Sequence, residues 1–355
     1  MDNFLARALP TGVGSMPMRD HQAAVEVIAR YLPQLPFWPQ LSQYRQEGMI
    51  NQFAAAMPGL RQRDKTPYID VTVPEFDHEL VAFYEEYLAA HEAEKVADES
   101  RFSMGTRESA GFFALLETLH ADADNLIKLK GQVTGPVTFC MAVKDHDGRA
   151  IFYNEQLRDA AVKMIALKAR WQAERLARLT PAPIIFLDEP GLAGFGSSAF
   201  ITVSAEEIVA ALSEVVAALH QGTGLAGVHV CANTEWPLIF DAGADIVNFD
   251  AFGYFDKFIL YPEQLRGFIA RGGIIAGGIV PTSPDDIGSR TAEQLVDLWF
   301  SQAGRIGELG VELEQIFNQS LITPSCGLGT VREEQAIHTL GLTRAVSDLI
   351  RQRFG

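Results

Sequence analysis

Cysteine is scarce: three thiols, Cys140, Cys231 and Cys326, occur in 355 residues. An odd, sparse set does not build a disulfide framework, and a chain of this length buries about 75% of its unfolded surface without covalent staples. Basic residues are outnumbered, with 29 Lys plus Arg against 45 Asp plus Glu and a formal charge of −16. So acidic a chain is not expected to bind DNA, RNA or an anionic membrane through its overall field. No apolar run reaches the roughly 18 residues of a membrane-spanning helix. The opening stretch MDNFLARALPTGVGS lacks the apolar core of a secretory signal, so a cytoplasmic location is the expectation. Low-complexity segments and internal repeats are missing as well. The segment GVGSMP is no dinucleotide fingerprint, because Pro17 stands where the third glycine would be.

What is present is an ordinary globular balance, 48% hydrophobic and 21% charged, which argues against disorder. Length alone suggests about two domains, but α/β barrels reach 250 residues and more as one. Eight short β-rich runs alternate with amphipathic stretches. The runs begin at Thr11 (TGVGS), Thr66 (TPYIDVTV), Ile127 (IKLKGQVTG), Pro183 (PIIFLDEP), Ala226 (AGVHVCA), Ala244 (ADIVNFDA), Gly273 (GIIAGGIV) and Leu321 (LITPSCG). The helical patterns start near Val81, Arg158, Ala205 (with Ser204 as N-cap), Ala292 and Glu334. This alternation predicts an α/β fold, a (β/α)8 TIM barrel forming a single domain over residues 1–355, with a helical insertion after strand 2 at 73–125. A doubly wound sheet is the alternative arrangement.

Barrel chemistry sits at the C-terminal ends of the strands. Ser15 ends the first run, Asp188 and Glu189 the fourth, His229 and Cys231 the fifth, Asp250 the sixth and Cys326 the eighth. His229 and Cys231 are two apart in an extended segment, so their side chains share a face. A His-x-Cys pair in a strand is more often packing than ligation. Cys326, distant in sequence but at the same predicted rim, tips the balance. One imidazole and two thiolates suit Zn²⁺, and three protein ligands leave a position open, as in catalytic zinc sites. Such a near-neutral site is suited to holding a substrate thiol as a nucleophilic thiolate. Cys140, in the apolar run TFCMAV, reads as buried filler. His21, His78, His91, His120, His146, His220 and His338 have no thiol beside them and read as surface or structural residues.

The segments TGVGSMP, KGQVTGPVTF, FLDEP, GVHVC, ADIVNFD and PSCGLGT occur in an order that resembles the catalytic C-terminal barrel of the cobalamin-independent methionine synthase family, within the uroporphyrinogen decarboxylase-like barrel superfamily. The resemblance implies a zinc held by His229, Cys231 and Cys326. Asp250 stands where the family has a fourth ligand, a Glu; a helix N-cap is its other reading. It also implies that Ser15 holds the carboxylate of an amino-acid substrate and that Asp188 pairs with its ammonium. Both roles are physically reasonable, since a carboxylate needs donors and a buried ammonium needs an anion. Two departures stand out: there is room for one barrel rather than two, and Ala142 occupies the position of a Trp that stacks on the folate pterin.

The expectation is therefore a zinc-dependent methyltransferase acting on a thiol, with homocysteine converted to methionine. Methylcobalamin or a corrinoid protein is the favoured donor over methyl-tetrahydrofolate. Methylation of another thiol such as coenzyme M, a metal-free decarboxylase acting on a porphyrinogen, and a zinc-bearing binding protein without turnover are the alternatives.

Overall fold

The computed structural model describes residues 4–119, 125–196 and 202–354; His120 lies outside them. The chain opens with β1 (Leu9–Pro10), β2 (Ser15–Met16), helix α1 (His21–Tyr31), β3 (Gln40–Leu41) and a hairpin of β4 (Leu60–Arg63) and β5 (Thr66–Ile69). Helices α2 (Phe76–Glu92) and α3 (Ala110–Leu119) follow. After them come β6 (Lys130–Thr134), α4 (Pro136–Ala142), β7 (Lys144–Asp145), α5 (Glu155–Leu176), β8 (Ile184–Asp188) and α6 (Ala205–Gln221). The chain continues through β9 (Leu225–Val230), α7 (Pro237–Asp241), β10 (Ile246–Phe249), α8 (Ala251–Phe258), α9 (Pro262–Ala270) and β11 (Ile274–Val280). It finishes with α10 (Ala292–Gly307), α11 (Leu313–Asn318), β12 (Ser320–Pro324) and α12 (Glu333–Gln352).

Seven parallel strands make the main sheet, in the order β1-β12-β11-β10-β9-β8-β6. The first strand lies beside the last, which a doubly wound sheet, with its order reversed at a switch point, does not do. Strands such as Ile184–Asp188 are buried along their whole length, as expected of a parallel sheet covered on both faces.

The sheet is TIM-like, but it does not close as one continuous ladder of eight. Its two edges, β1 and β6, are spanned by the segment 36–41. Phe37 bridges Lys130 in parallel, the Lys130 N–H reaches the Pro36 carbonyl at 3.0 Å, and the Gln40 N–H reaches the Gly14 carbonyl at 3.0 Å. Pro36 and Pro39 have no N–H to donate, so this segment cannot ladder continuously.

The Thr66 run was expected as strand 2 and is not. It pairs antiparallel with β4 and parallel with β7 in a small separate sheet; only Ile69 of its four residues is buried, so it offers no two-sided apolar surface. The inserted region consequently begins after Leu41 rather than at 73, and it contains the β4–β5 hairpin as well as α2 and α3. The Thr11 run is also divided. Residues 11–14 form a buried bend between β1 and β2.

Helix α5 explains how the insertion is attached. Its 22 residues are buried on almost every side, against the sheet on one face and the insertion on the other. Arg170 caps the C-terminal end of α2, donating to the carbonyls of His91, Ala93 and Glu94 at 3.2, 2.7 and 2.9 Å. Among the described residues no helix is long and apolar enough to cross a membrane.

Candidate active site

His229, in β9, and Cys231, just past its end, converge with Cys326 from the loop after β12. One ligand atom from each lies within 4.8 Å of the other two, and the Cys326 Sγ is 4.0 Å from His229 Nε2. This is the only group of its kind among the described residues.

A fourth residue sets the chemistry of the imidazole. Asn248 sits opposite His229 on the neighbouring strand β10 and is fully buried. Its Nδ2 donates to the Ala276 carbonyl at 2.7 Å and contacts Thr323 Oγ1 at 2.9 Å. A carbonyl only accepts, so the amide orientation is fixed and Asn248 Oδ1 faces His229 Nδ1 at 2.6 Å. His229 must then carry its proton on Nδ1, which leaves the Nε2 lone pair directed toward the two thiols. Sequence reading missed Asn248. Its signal was a polar residue at an inward position of an otherwise apolar strand.

A hydrogen bond from Cys326 is the main cause that pushes Cys231 down to about 4, and the resulting thiolate pushes Cys326 above the ordinary thiol range. An imidazole nitrogen with a free lone pair, one ready thiolate and a second thiol beside it form a donor set that fits zinc.

The remaining expected residues surround this group. Asp188, at the end of β8, is 7% exposed, and its Oδ1 has no hydrogen-bond partner. Burial pushes its carboxyl up to about 6, opposed by His229 and Lys130. An orphaned acceptor on a buried acid leaves room for a donor from a ligand. Its neighbour Glu189 is structural. It accepts from the Val137 and Thr138 N–H groups at 2.9 and 2.7 Å and so joins β8 to α4.

Ser15 lies on β2, paired with Gln40. Its Oγ accepts from the Gly329 N–H at 3.1 Å and its carbonyl from Leu328 at 2.9 Å, which fastens it to the loop that carries Cys326. Asp250 is not part of the metal-capable group. Its carboxylate accepts from Gly253 N–H at 2.8 Å and is the N-cap of α8, the other reading of this residue. Burial holds its carboxyl above the ordinary value.

Cys140 is fully buried, and its thiol is pushed up by burial, as befits packing. His21 and His220 pair with Glu47 and Asp245 at 2.6 and 2.8 Å. Ala142 ends α4 and brings no aromatic ring.

No protein-family model matches the sequence, and no curated protein sequence matches it. Solved structures do. A B12-independent methionine synthase from Shewanella sp. W3-18-1, in complex with selenomethionine, superposes with a TM-score of 0.54 at 13% identity, covering 98% of each chain. A methyltransferase from Methanosarcina mazei gives a TM-score of 0.53 at 14% identity, covering 99% of this chain and 98% of the other. At such identity the likeness is one of fold.

Proposed function

We propose that this chain is a methyltransferase that uses zinc to methylate a thiol, with homocysteine as the acceptor and methionine as the product. The observation that carries this reading is the His229, Cys231 and Cys326 cluster with the orphaned Asp188 oxygen in its field. The methyl-transferring proteins that share the fold lend it support.

His229, Cys231 and Cys326 are the proposed metal donors, and Asp250 is kept as a helix cap. Zinc held there supplies the Lewis acidity that lowers the pKa of a thiol, about 8.5 when free, into the neutral range. The protein does the rest. Asp188 takes the acceptor's ammonium, and Ser15 with its turn takes the carboxylate. Asp188 is buried, which strengthens its contact with an ammonium. Held in this way, the acceptor sulfur loses its proton to solvent on binding and attacks the methyl carbon in line with the departing group, which keeps the electron pair of its bond to the methyl. One S–C bond forms as the bond from the methyl to its donor breaks.

For the donor we favour methylcobalamin or a corrinoid protein over methyl-tetrahydrofolate, because Ala142 offers no stacking surface. Coenzyme M ranks below homocysteine as acceptor, since it has no ammonium to complete Asp188. The test is a methylation assay with homocysteine and coenzyme M in competition, supplied with methylcobalamin and with methyl-tetrahydrofolate in parallel. Methionine formation from methylcobalamin is expected. No methylated thiol from either donor, in protein that carries zinc, would contradict the reading and favour a binding protein.

A further inference from the structure

A cation lies in the interior of the sheet that the proposed chemistry does not use. Lys130, at the start of β6, is 0% exposed. Its ammonium donates to the Val13 carbonyl, approaches Gln132 Oε1 at 3.2 Å and lies 4.3 Å from the centre of the Phe186 ring. It makes no ion pair among the described residues; burial pushes its ammonium down to about 7, opposed by the field of the Asp188 carboxylate. Burying an ammonium without a contact partner of opposite charge is costly, so its retention calls for a reason.

The Val13 carbonyl belongs to the buried bend at residues 11–14. Here the glycines are required by close approach. A Cβ on Gly12 would meet the Phe37 ring at 2.2 Å, and one on Gly14 would meet the Gln132 side chain at 2.9 Å. The N–H groups of Gly12, Val13 and Gly14 donate to no other described residue, although all three residues are buried. Buried backbone N–H groups without a protein partner call for one from a ligand or water. The Val13–Gly14 peptide is trans, so its carbonyl and its N–H point in opposite directions. A cation holding the carbonyl therefore turns the Gly14 N–H away from itself and polarises it as a donor. The same bend runs into Ser15, which is fastened to the loop of Cys326.

We propose that Lys130 is a positioning residue of the acceptor pocket, whose buried ammonium holds the Val13 carbonyl so that the amides of the 12–14 bend receive the acceptor's carboxylate. The inference rests on the proposed amino-acid acceptor. To the carboxylate contact already proposed for Ser15 and its turn, it adds only that the bend is held from below by the buried Lys130.

The test is calorimetric binding to the zinc-loaded full chain of three ligands: methionine, its desamino analogue and its decarboxylated amine. In Lys130→Met, methionine and the desamino analogue, which both carry the carboxylate, are expected to bind about tenfold more weakly, while the amine changes by less than about threefold. Lys130→Arg, which keeps the charge, is expected to restore part of the carboxylate preference. If Lys130→Met does not fold, Lys130→Gln, neutral but still a donor, carries the same comparison. Equal weakening of all three ligands would mean a merely structural lysine and would overturn the proposal, as would unchanged binding. Failure of the wild-type protein to bind methionine would instead overturn the amino-acid acceptor itself, and this inference with it.

Discussion

His229 depends on a neighbour that the sequence hardly advertises. Asn248 fixes the ring tautomer, and it is itself held by Ala276 and Thr323. Such supporting residues are typically worth 10–100-fold in metal affinity. Asn248→Ala is therefore expected to weaken zinc binding by about that factor, read by competition with a chelating indicator, with all three ligands still present. Asp188→Asn is expected to leave zinc content unchanged and to weaken methionine binding about tenfold or more; loss of zinc in this variant would contradict its assignment. At this scale the sequence was informative where chemistry is rare. Two thiols and an imidazole at strand ends are an uncommon set. Asp250 was ambiguous because an Asp after a strand serves equally as ligand and as helix cap, and here it caps α8. Lys130 and the bare amides of the bend could not be read, since a lysine in a strand gives no sign that it points inward.

Among the elements, the later strands of the main sheet, β6 and β8 to β12, fell where apolar runs announced them. Strand 2 did not. Its segment, Phe37 to Leu41, contains Pro39 and follows Pro36, and it pairs through isolated hydrogen bonds rather than a ladder. The more strand-like Thr66 run took its place in the reading and proved to be a surface hairpin. Helix starts were clearer because capping is local. Ser204 forms a full capping box with Glu207 on α6, and Ser204→Ala is expected to cost about 1 kcal/mol in urea unfolding. Gly227 on β9 tests the packing beneath His229 and the two thiols. A Cβ there would meet the Phe186 ring at 2.3 Å. Gly227→Ala is expected to cost about 1–3 kcal/mol, seen as a lowered urea midpoint with an unchanged slope.

Over the whole molecule, the pairing of the first strand with the last brings residue 15 beside residues 328 and 329. That contact brings Ser15 beside the loop of Cys326 from the opposite end of the chain, as the proposed site requires. Long-range placement of this kind follows from topology, and the strand alternation conveyed it even with strand 2 misplaced. Away from that pairing, helix α6 is tied to the start of β10 through His220 and Asp245, 2.8 Å apart. The hydrogen bond to Asp245 raises His220 above its ordinary value of 6.5. A folded value above the unfolded one means that the stabilisation is complete below the unfolded value and disappears as pH rises through the folded one. His220→Ala is thus expected to cost about 0.5–1 kcal/mol more at about pH 5.5 than at about pH 9, a modest difference because the pair is partly exposed.

The most direct test of the account is the zinc content of the purified chain, measured by elemental analysis beside Cys231→Ser and Cys326→Ser. The account predicts about one zinc per wild-type chain and little in either variant, which should also be inactive. A wild-type chain that takes up no zinc, even when reconstituted under reducing conditions, or a serine variant that keeps both zinc and full activity, would contradict it.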